Sequence, residues 1–244
     1  MSGEGRALAR LLAIQGAWSY ERMIGIGMGF ASQPLLEGLG EASPDRHREA
    51  TARSAEFFNS HPYLAGLALG AAARAELDGA PGAQIQRLRT ALCSPLGALG
   101  DQVFWAGLVP FLMSLVLAGL ALGAGGWLLL AAVASYNLVH LAVARWALRT
   151  GLDSGMQVGT AVSASWLPRA ASRVAVPAGL TAGLALPLVA GWLLAPSGPG
   201  APLVAGAAAG AALVLVRFAG ARMPSLRVGL VFAVLTLLWT RFTS

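Results

Sequence analysis

Up to about residue 105, charged and aromatic side chains interrupt every apolar run. Beyond it the apolar runs lengthen, and the last carboxylate side chain is Asp153. Several stretches in this second half approach the roughly 17 to 25 apolar residues needed to cross a bilayer. They are Ala106–Leu122, Gly126–Ala144, Val174–Leu194, Pro202–Ala219 and Val228–Trp239. The last is short and requires tilt, bilayer thinning or extension to Arg241. Each is expected to be helical, because hydrocarbon offers no partner to an unpaired backbone group. The pattern predicts an all-α integral membrane protein. An N-terminal amphipathic and re-entrant helical region covers residues 1–105, and about five transmembrane helices follow over 106–244.

The first half reads in shorter pieces. Leu8–Phe30 mixes apolar residues with Arg10, Glu21 and Arg22 and carries Gly25, Gly27 and Gly29 at alternate positions. That spacing is not the dinucleotide-binding fingerprint; it permits close helix packing or a helix break. Ser43-Pro44-Asp45 predicts an N-cap with proline in the first turn. The charged helix it opens, through Arg46, Arg48, Glu49, Arg53 and Glu56, is expected to stop at His61, which Pro62 pushes away from helical geometry. Leu64–Ala73 is apolar yet too short to span, which predicts a re-entrant or interfacial piece. Gly79–Gly82 reads as a turn, Gln84–Leu92 as a short helix, and Ser94–Gly100 as a flexible lead into the first span.

Composition sharpens this picture. Apolar residues make up 56% of the 244-residue chain and charged residues 11%, against about 25% charged in an average soluble domain. The net charge of +6 comes from arginine alone, since the chain has no lysine. Those arginines are scattered between apolar segments, which argues against a nucleic-acid partner and for orientation of spans by the positive-inside rule. Arg145, Arg149, Arg169 and Arg173 fall between the second and third predicted spans, and Arg217, Arg222 and Arg227 between the fourth and fifth. The intervening Gly123–Gly125 and Pro196–Gly200 carry no charge. Alternation then places the Arg-rich loops and the Arg87–Arg89 segment in the cytoplasm and the C-terminus outside. Cys93 is alone, so no internal disulfide forms, and the N-terminus shows no signal-peptide pattern. No serine-nucleophile motif, catalytic carboxylate pair, Cys/His cluster or phosphate loop is present, and no enzyme chemistry is visible.

Three blocks stand out against this background. Gln15-Gly-Ala-Trp-Ser-Tyr-Glu-Arg-Met23, Glu56-Phe-Phe-Asn-Ser-His-Pro-Tyr63 and Gly100-Asp-Gln-Val-Phe-Trp105 each set polar groups among aromatics, Gly and Pro. Together and in this order they resemble the IID membrane subunit of mannose/fructose/sorbose-family sugar phosphotransferase systems (PTS). The resemblance covers about residues 10 to 160 and includes the Ala75–Ala80 stretch. It implies a multi-pass protein of the bacterial inner membrane with a IIC subunit as partner. In that family IIC and IID form the sugar-translocating unit, a hetero-oligomer commonly assembled as threefold repeats. The phosphoryl group comes from cytoplasmic IIA and IIB histidines, so IID has no phosphorylation site, cofactor or metal of its own. The implied function is translocation of a hexose coupled to its phosphorylation. The alternative is a transport-inactive scaffold or regulatory subunit that binds a IIC-like partner. The third block departs from the family's usual Gly-Asp-Pro-Ile-Phe-Trp at Gln102 and Val103, and Val109 precedes Pro110 where a basic residue is common.

Read for sugar chemistry, the blocks nominate particular residues. A pocket for a hexose needs a few groups that bond hydroxyls within apolar walls, and ionisable groups at membrane depth are functional candidates by default. Asp101 is the first candidate, with a helix N-cap or first-turn acid as its structural alternative. Asn59 and His61 read either as sugar contacts or as a helix C-terminal cap. Trp105 reads as a stacking face or an interfacial anchor. Glu21 and Arg22, beside Gln15, Trp18 and Tyr20, read as an ion pair at the subunit interface. His140, one turn after Tyr136, predicts interhelical hydrogen bonding.

Overall fold

The computed structural model describes residues 3–194, and every regular element within them is a helix. The predicted spans Pro202–Ala219 and Val228–Trp239, the loop Pro196–Gly200, and Arg217, Arg222, Arg227 and Arg241 lie outside the described residues.

Small residues set how the first helices meet. Helix α1 (Gly3–Leu12) packs on α2 (Gly25–Ser32) through Ala7 and Leu11. The three alternate glycines of α2 all lie against backbone: Gly25 on Glu56, Gly27 on Ile14 and Gly29 on Ala55. A Cβ at Gly29 would lie 3.0 Å from the Ala55 Cα. The glycines serve close packing, and α2 runs through them unbroken. Arg10 ties α1 to the end of α2, donating to the Phe30 carbonyl at 2.8 Å and the Gln33 side chain at 2.9 Å.

Two short helices follow, α3 (Glu37–Ala42) and α4 (Pro44–Ser54). Ser43 occupies the N-cap position with extended backbone and Pro44 the first turn, as expected, but the Ser43 hydroxyl makes no capping bond. The helix stops at Ser54, well short of His61. Beyond it the chain pairs with the first block: Ile24 N donates to the Phe58 carbonyl at 3.1 Å and Phe58 N to the Arg22 carbonyl at 3.3 Å. Phe58, with no exposed surface, anchors this pairing in the core. Arg53 reaches from α4 to Glu76 on α5 (Ala65–Leu77), with its Nε 2.7 Å from Oε1. The Glu76 side chain is 5% exposed, so this pair fixes two helices in a largely dry setting.

Helix α5 is the centre of the molecule. Ala65, Leu67, Ala68 and Ala71 on it have no exposed surface, so the apolar run Leu64–Ala73 is taken up by protein on all sides. Its main partner is α8 (Trp127–Ser154). Gly66 and Gly70, four apart, let the two backbones touch: a Cβ on Gly70 would lie 2.6 Å from Leu152 N, and one on Gly151 2.9 Å from Ala71 N. This is the small-xxx-small packing typical of membrane helices.

The expected turn at Gly79–Gly82 is present, with Gly79 in the left-handed region at φ +77°. After it comes α6 (Gly82–Gly100), then a wide π-helical stretch over Asp101–Leu108, then α7 (Val109–Ala121), in one 40-residue helical run. This corrects two expectations. Ser94–Gly100 is helix, not a flexible lead, and the apolar helix begins at Gly82, not at Ala106. Helix persists through Pro95 because Ile85, Arg89, Leu92, Leu96 and Gly100 form one buried stripe at helical spacing. Pro95 lies on the exposed side, where the loss of one hydrogen bond is tolerated.

Helix α8 likewise outruns the predicted Gly126–Ala144 span, and so takes in Arg145 and Arg149. Arg149 Nε bonds Glu4 on α1 at 2.6 Å. Short helices α9 (Val158–Ala164) and α10 (Leu167–Arg173) lead to α11 (Ala175–Leu194), close to the predicted third span, which packs on α7. Two helical stretches, Gly82–Ala121 and Trp127–Leu193, are long and apolar enough to cross a membrane.

Candidate sugar-binding site

The three blocks converge in space. Backbone pairing sets the second block on the first, and Met23 adopts φ +52° to hold its place between Ser19 and Phe58. The third block docks on the second through its rings. His61 stacks on Phe104 with centroids 4.9 Å apart, and Tyr63 meets the same ring edge-on at 4.8 Å. Gly100 makes this possible, because a Cβ there would collide with the His61 side chain.

A pocket of about 500 Å³ opens where the second and third blocks meet. Asn59, Ser60 and His61 line one wall from the extended segment, and Cys93, Ser94 and Asp101 line the other from one face of the long helix. Phe57 adds an exposed apolar face. The lining offers hydrogen-bonding groups within apolar surroundings, the usual composition of a small-ligand site. The Cys93 thiol donates to the Arg89 carbonyl at 3.5 Å.

His61 is the most constrained group here. It is 2% exposed, and its Nδ1 accepts the Tyr63 backbone N–H at 3.3 Å. Burial pushes its imidazole down to about 4, only partly opposed by the Asp101 carboxylate, with His140 adding a smaller downward push. His61 is therefore neutral at physiological pH. Behind it the Tyr63 hydroxyl bonds that of Tyr136 on α8 at 2.8 Å, and the Tyr63 ring stacks on His140 with centroids 3.5 Å apart. Tyr136 makes the interhelical hydrogen bond expected of His140, which contacts Tyr63 ring to ring.

The structure thus brings Asn59, His61 and Asp101 together. Trp105 lies at the edge of the group, half-exposed, with its ring 5.8 Å from that of His61. Asp101 is neither N-cap nor first-turn acid of a new helix, because helical backbone continues through it from α6. Gln15, Trp18, Tyr20, Glu21 and Arg22 form a separate exposed patch. Within it Trp18 and Tyr20 pack edge to face at 4.7 Å. The expected Glu21–Arg22 ion pair does not form. The Arg22 guanidinium instead donates to the Ala55 carbonyl, just past the end of α4, at 3.4 Å.

The family model for the PTS system mannose/fructose/sorbose family IID component matches residues 5–182. The chain belongs to this family. Its similarity to curated IID components runs over 151 residues, 59% of this chain. It is 30% identical to the mannose-specific EIID component of Escherichia coli K12, covering 52% of that protein. It is also 30% identical to the fructose permease IID component of Bacillus subtilis, covering 53%, and 28% identical to the sorbose-specific EIID component of Klebsiella pneumoniae, covering 54%. The chain spans about half the length of the curated relatives it matches. Among solved structures, a chain of the mannose transporter ManYZ in complex with microcin E492 (MceA) is similar over 97% of this chain and 94% of its own, at 21% identity and TM-score 0.58. A second membrane-protein structure is similar over 99% and 96% at 22% identity and TM-score 0.70. Both share the fold.

The family blocks named part of the pocket, and the rest was missed. Ser60 sits inside the second block but gave no chemical signal beside Asn59 and His61. Cys93 and Ser94 lie two helical turns before Asp101 and share its face, a relation visible only if helix is continued through Pro95. Of the IID family's altered positions, Gln102 is exposed and Val103 buried; neither lines the pocket.

Proposed function

We propose that this chain acts as the IID membrane subunit of a mannose-family PTS permease. Together with a IIC subunit it translocates a hexose, coupled to phosphorylation by IIA and IIB. The observation that carries this reading is the meeting of Asn59, His61 and Asp101, from two separate blocks, in one pocket. The pocket contacts the hexose, and half-exposed Trp105 flanks it. In this reading the chain is a multi-pass inner-membrane protein with about five spans. The exposed patch of Gln15, Trp18, Tyr20, Glu21 and Arg22 faces IIC within a threefold-repeated assembly. The departures at Gln102 and Val103 leave the pocket lining intact, which favours a working subunit.

The test is binding of a labelled hexose panel to the chain co-purified with its IIC subunit. Saturable binding, weakened in Asp101→Asn with the complex still assembled, is the expected result. The exposed Trp18–Tyr20 pair supports a second reading, a scaffold that binds IIC without handling sugar. A stable complex that binds no hexose in the panel selects it.

A further inference from the structure

The stretch from Arg145 to Arg173 connects two apolar helices and meets the membrane boundary at both ends. Arg145 directly follows the predicted span Gly126–Ala144, and Arg173 stands two residues before α11. The connection is held against the fold on one side. Helix α10 buries Leu167 and Ala171, and Val174 at its end lies where a Cβ on Gly107 would collide with it. On the other side Trp166, Arg169 and Arg173, three and four residues apart and so on one helical face, are exposed. Trp146 of α8 packs on Trp166 with ring centroids 5.1 Å apart. That contact sets the end of one span beside the start of the next, and draws Arg145 and the α10 arginines to one region of the surface.

The charge of this region is unbalanced. Arg149 is taken by Glu4 at 2.6 Å, and Asp153, the last carboxylate side chain of the sequence, interacts with Arg74. The side chains of Arg145, Arg169 and Arg173 have no hydrogen bond or ion pair among the described residues, and neither do the indole N–H groups of Trp146 and Trp166. Tryptophans with packed rings and unpaired N–H groups suit the membrane–water boundary, where one end is apolar and the other wet. Guanidinium forks match phosphate oxygens two at a time. Basic clusters between membrane helices on the cytoplasmic side fit acidic phospholipid headgroups. A soluble acidic partner would have to reach this face at the depth of the tryptophans, where a lipid already stands.

We propose that Trp146, Trp166, Arg145, Arg169 and Arg173 form a headgroup site for an anionic phospholipid, in the leaflet to which the positive-inside rule assigns these loops. The arginines hold the phosphate and the indole N–H groups meet the ester carbonyls. The lipid braces the link between α8 and α11. None of these residues lines the pocket, so the site stands independently of the hexose reading.

The experiment titrates the complex with IIC, in detergent, with phosphatidylglycerol or phosphatidylcholine of the same acyl chains and counts bound lipid by native mass spectrometry. Phosphatidylglycerol is expected to bind at least about tenfold more tightly. Arg145→Gln, Arg169→Gln and Arg173→Gln combined should abolish most of that preference, and the same three changed to lysine should keep a larger part of it, since the charge remains and only the fork is lost. Arg87→Gln, which removes an exposed arginine elsewhere, should leave it unchanged. Should the combined glutamine variant not assemble, the single changes decide: each is expected to lower the preference several-fold, and no effect in any of them overturns the site. Equal binding of the two lipids, or a loss in Arg87→Gln as large as in the combined variant, overturns it as well. Displacement of the lipid by inorganic phosphate would mark a site for a free anion instead. A preference shown by the chain alone and absent from the complex would give this face to IIC, and the lipid proposal falls.

Discussion

Helices α5 and α11 are both apolar, and their side chains meet opposite fates. On α5, Leu67 has no exposed surface and Leu69 1%; on α11, Leu180 is 71% exposed and Leu186 70%. Helix α8 contains both behaviours. Val143, Ala144, Ala147 and Leu148 are buried against α5, while Leu130 and Leu138 toward its other end point outward. In water an outward leucine stripe would be a liability, but in a bilayer the lipid tails are as apolar as leucine and no such penalty arises. Hydrophobicity alone does not say what covers a helix here. The discriminating feature is the small residue: Gly66, Gly70 and Gly151 lie against backbone, while a Cβ at Gly179, Gly183 or Gly191 would meet nothing within 4 Å.

That contrast yields the largest predicted effect. Gly70→Val forces α5 and α8 apart and should cost about 3 kcal/mol or more, whereas Gly183→Val on α11 should stay within about 0.5 kcal/mol. Thermal unfolding of the two variants in the same detergent checks this; equal losses would erase the distinction between the regions.

A second difference is that the first region buries polar groups. His61 should make stability depend on pH with a definite sign. Its pKa is near 6.5 unfolded and about 4 folded. Above pH 6.5 it is neutral in both states. As pH falls toward 4 the unfolded chain takes up a proton that the folded one refuses, so stability declines, by up to about 3 kcal/mol in total. His61→Gln should flatten that segment of the stability–pH curve. An unchanged slope would assign it to other groups.

The two ion pairs of α5 give a smaller contrast. Glu76→Gln strands Arg53 in a mostly dry setting and should cost about 2 kcal/mol, below the usual range for a fully buried pair because Arg53 keeps some solvent. Asp78→Asn breaks the exposed Arg74–Asp78 pair and should leave the unfolding midpoint where it is. Parallel melts of the two variants test this, and similar shifts would mean that burial does not distinguish the pairs.

Much of the local structure was legible. Pro44 and Pro62 constrain their own neighbours, and the turn expected at Gly79–Gly82 is present. The misreadings share one physical cause. Ending α4 at His61 missed the pull of Phe58 toward the first block, a long-range contact with no trace in local propensity. Breaking the chain at Pro95 weighed one lost hydrogen bond above a buried stripe running from Ile85 to Gly100. Placing Asp101 at a helix start followed from that break. In the site, the family blocks led to Asn59, His61 and Asp101, while Cys93 and Ser94 depended on the continuous helix.

The sequence by itself determined that the chain is helical, which segments are apolar, and to which family it belongs, because periodicity, length and short motifs are local properties. Only the tertiary structure decided that α5 is sheathed by protein while α11 turns its leucines outward, since that depends on which glycine faces meet. It also decided that three blocks far apart in sequence pack together and that the second and third share one pocket. Backbone pairing at Phe58, ring stacking on Phe104 and the missing Cβ of Gly100 bring them together, and none of these contacts is written in any one block.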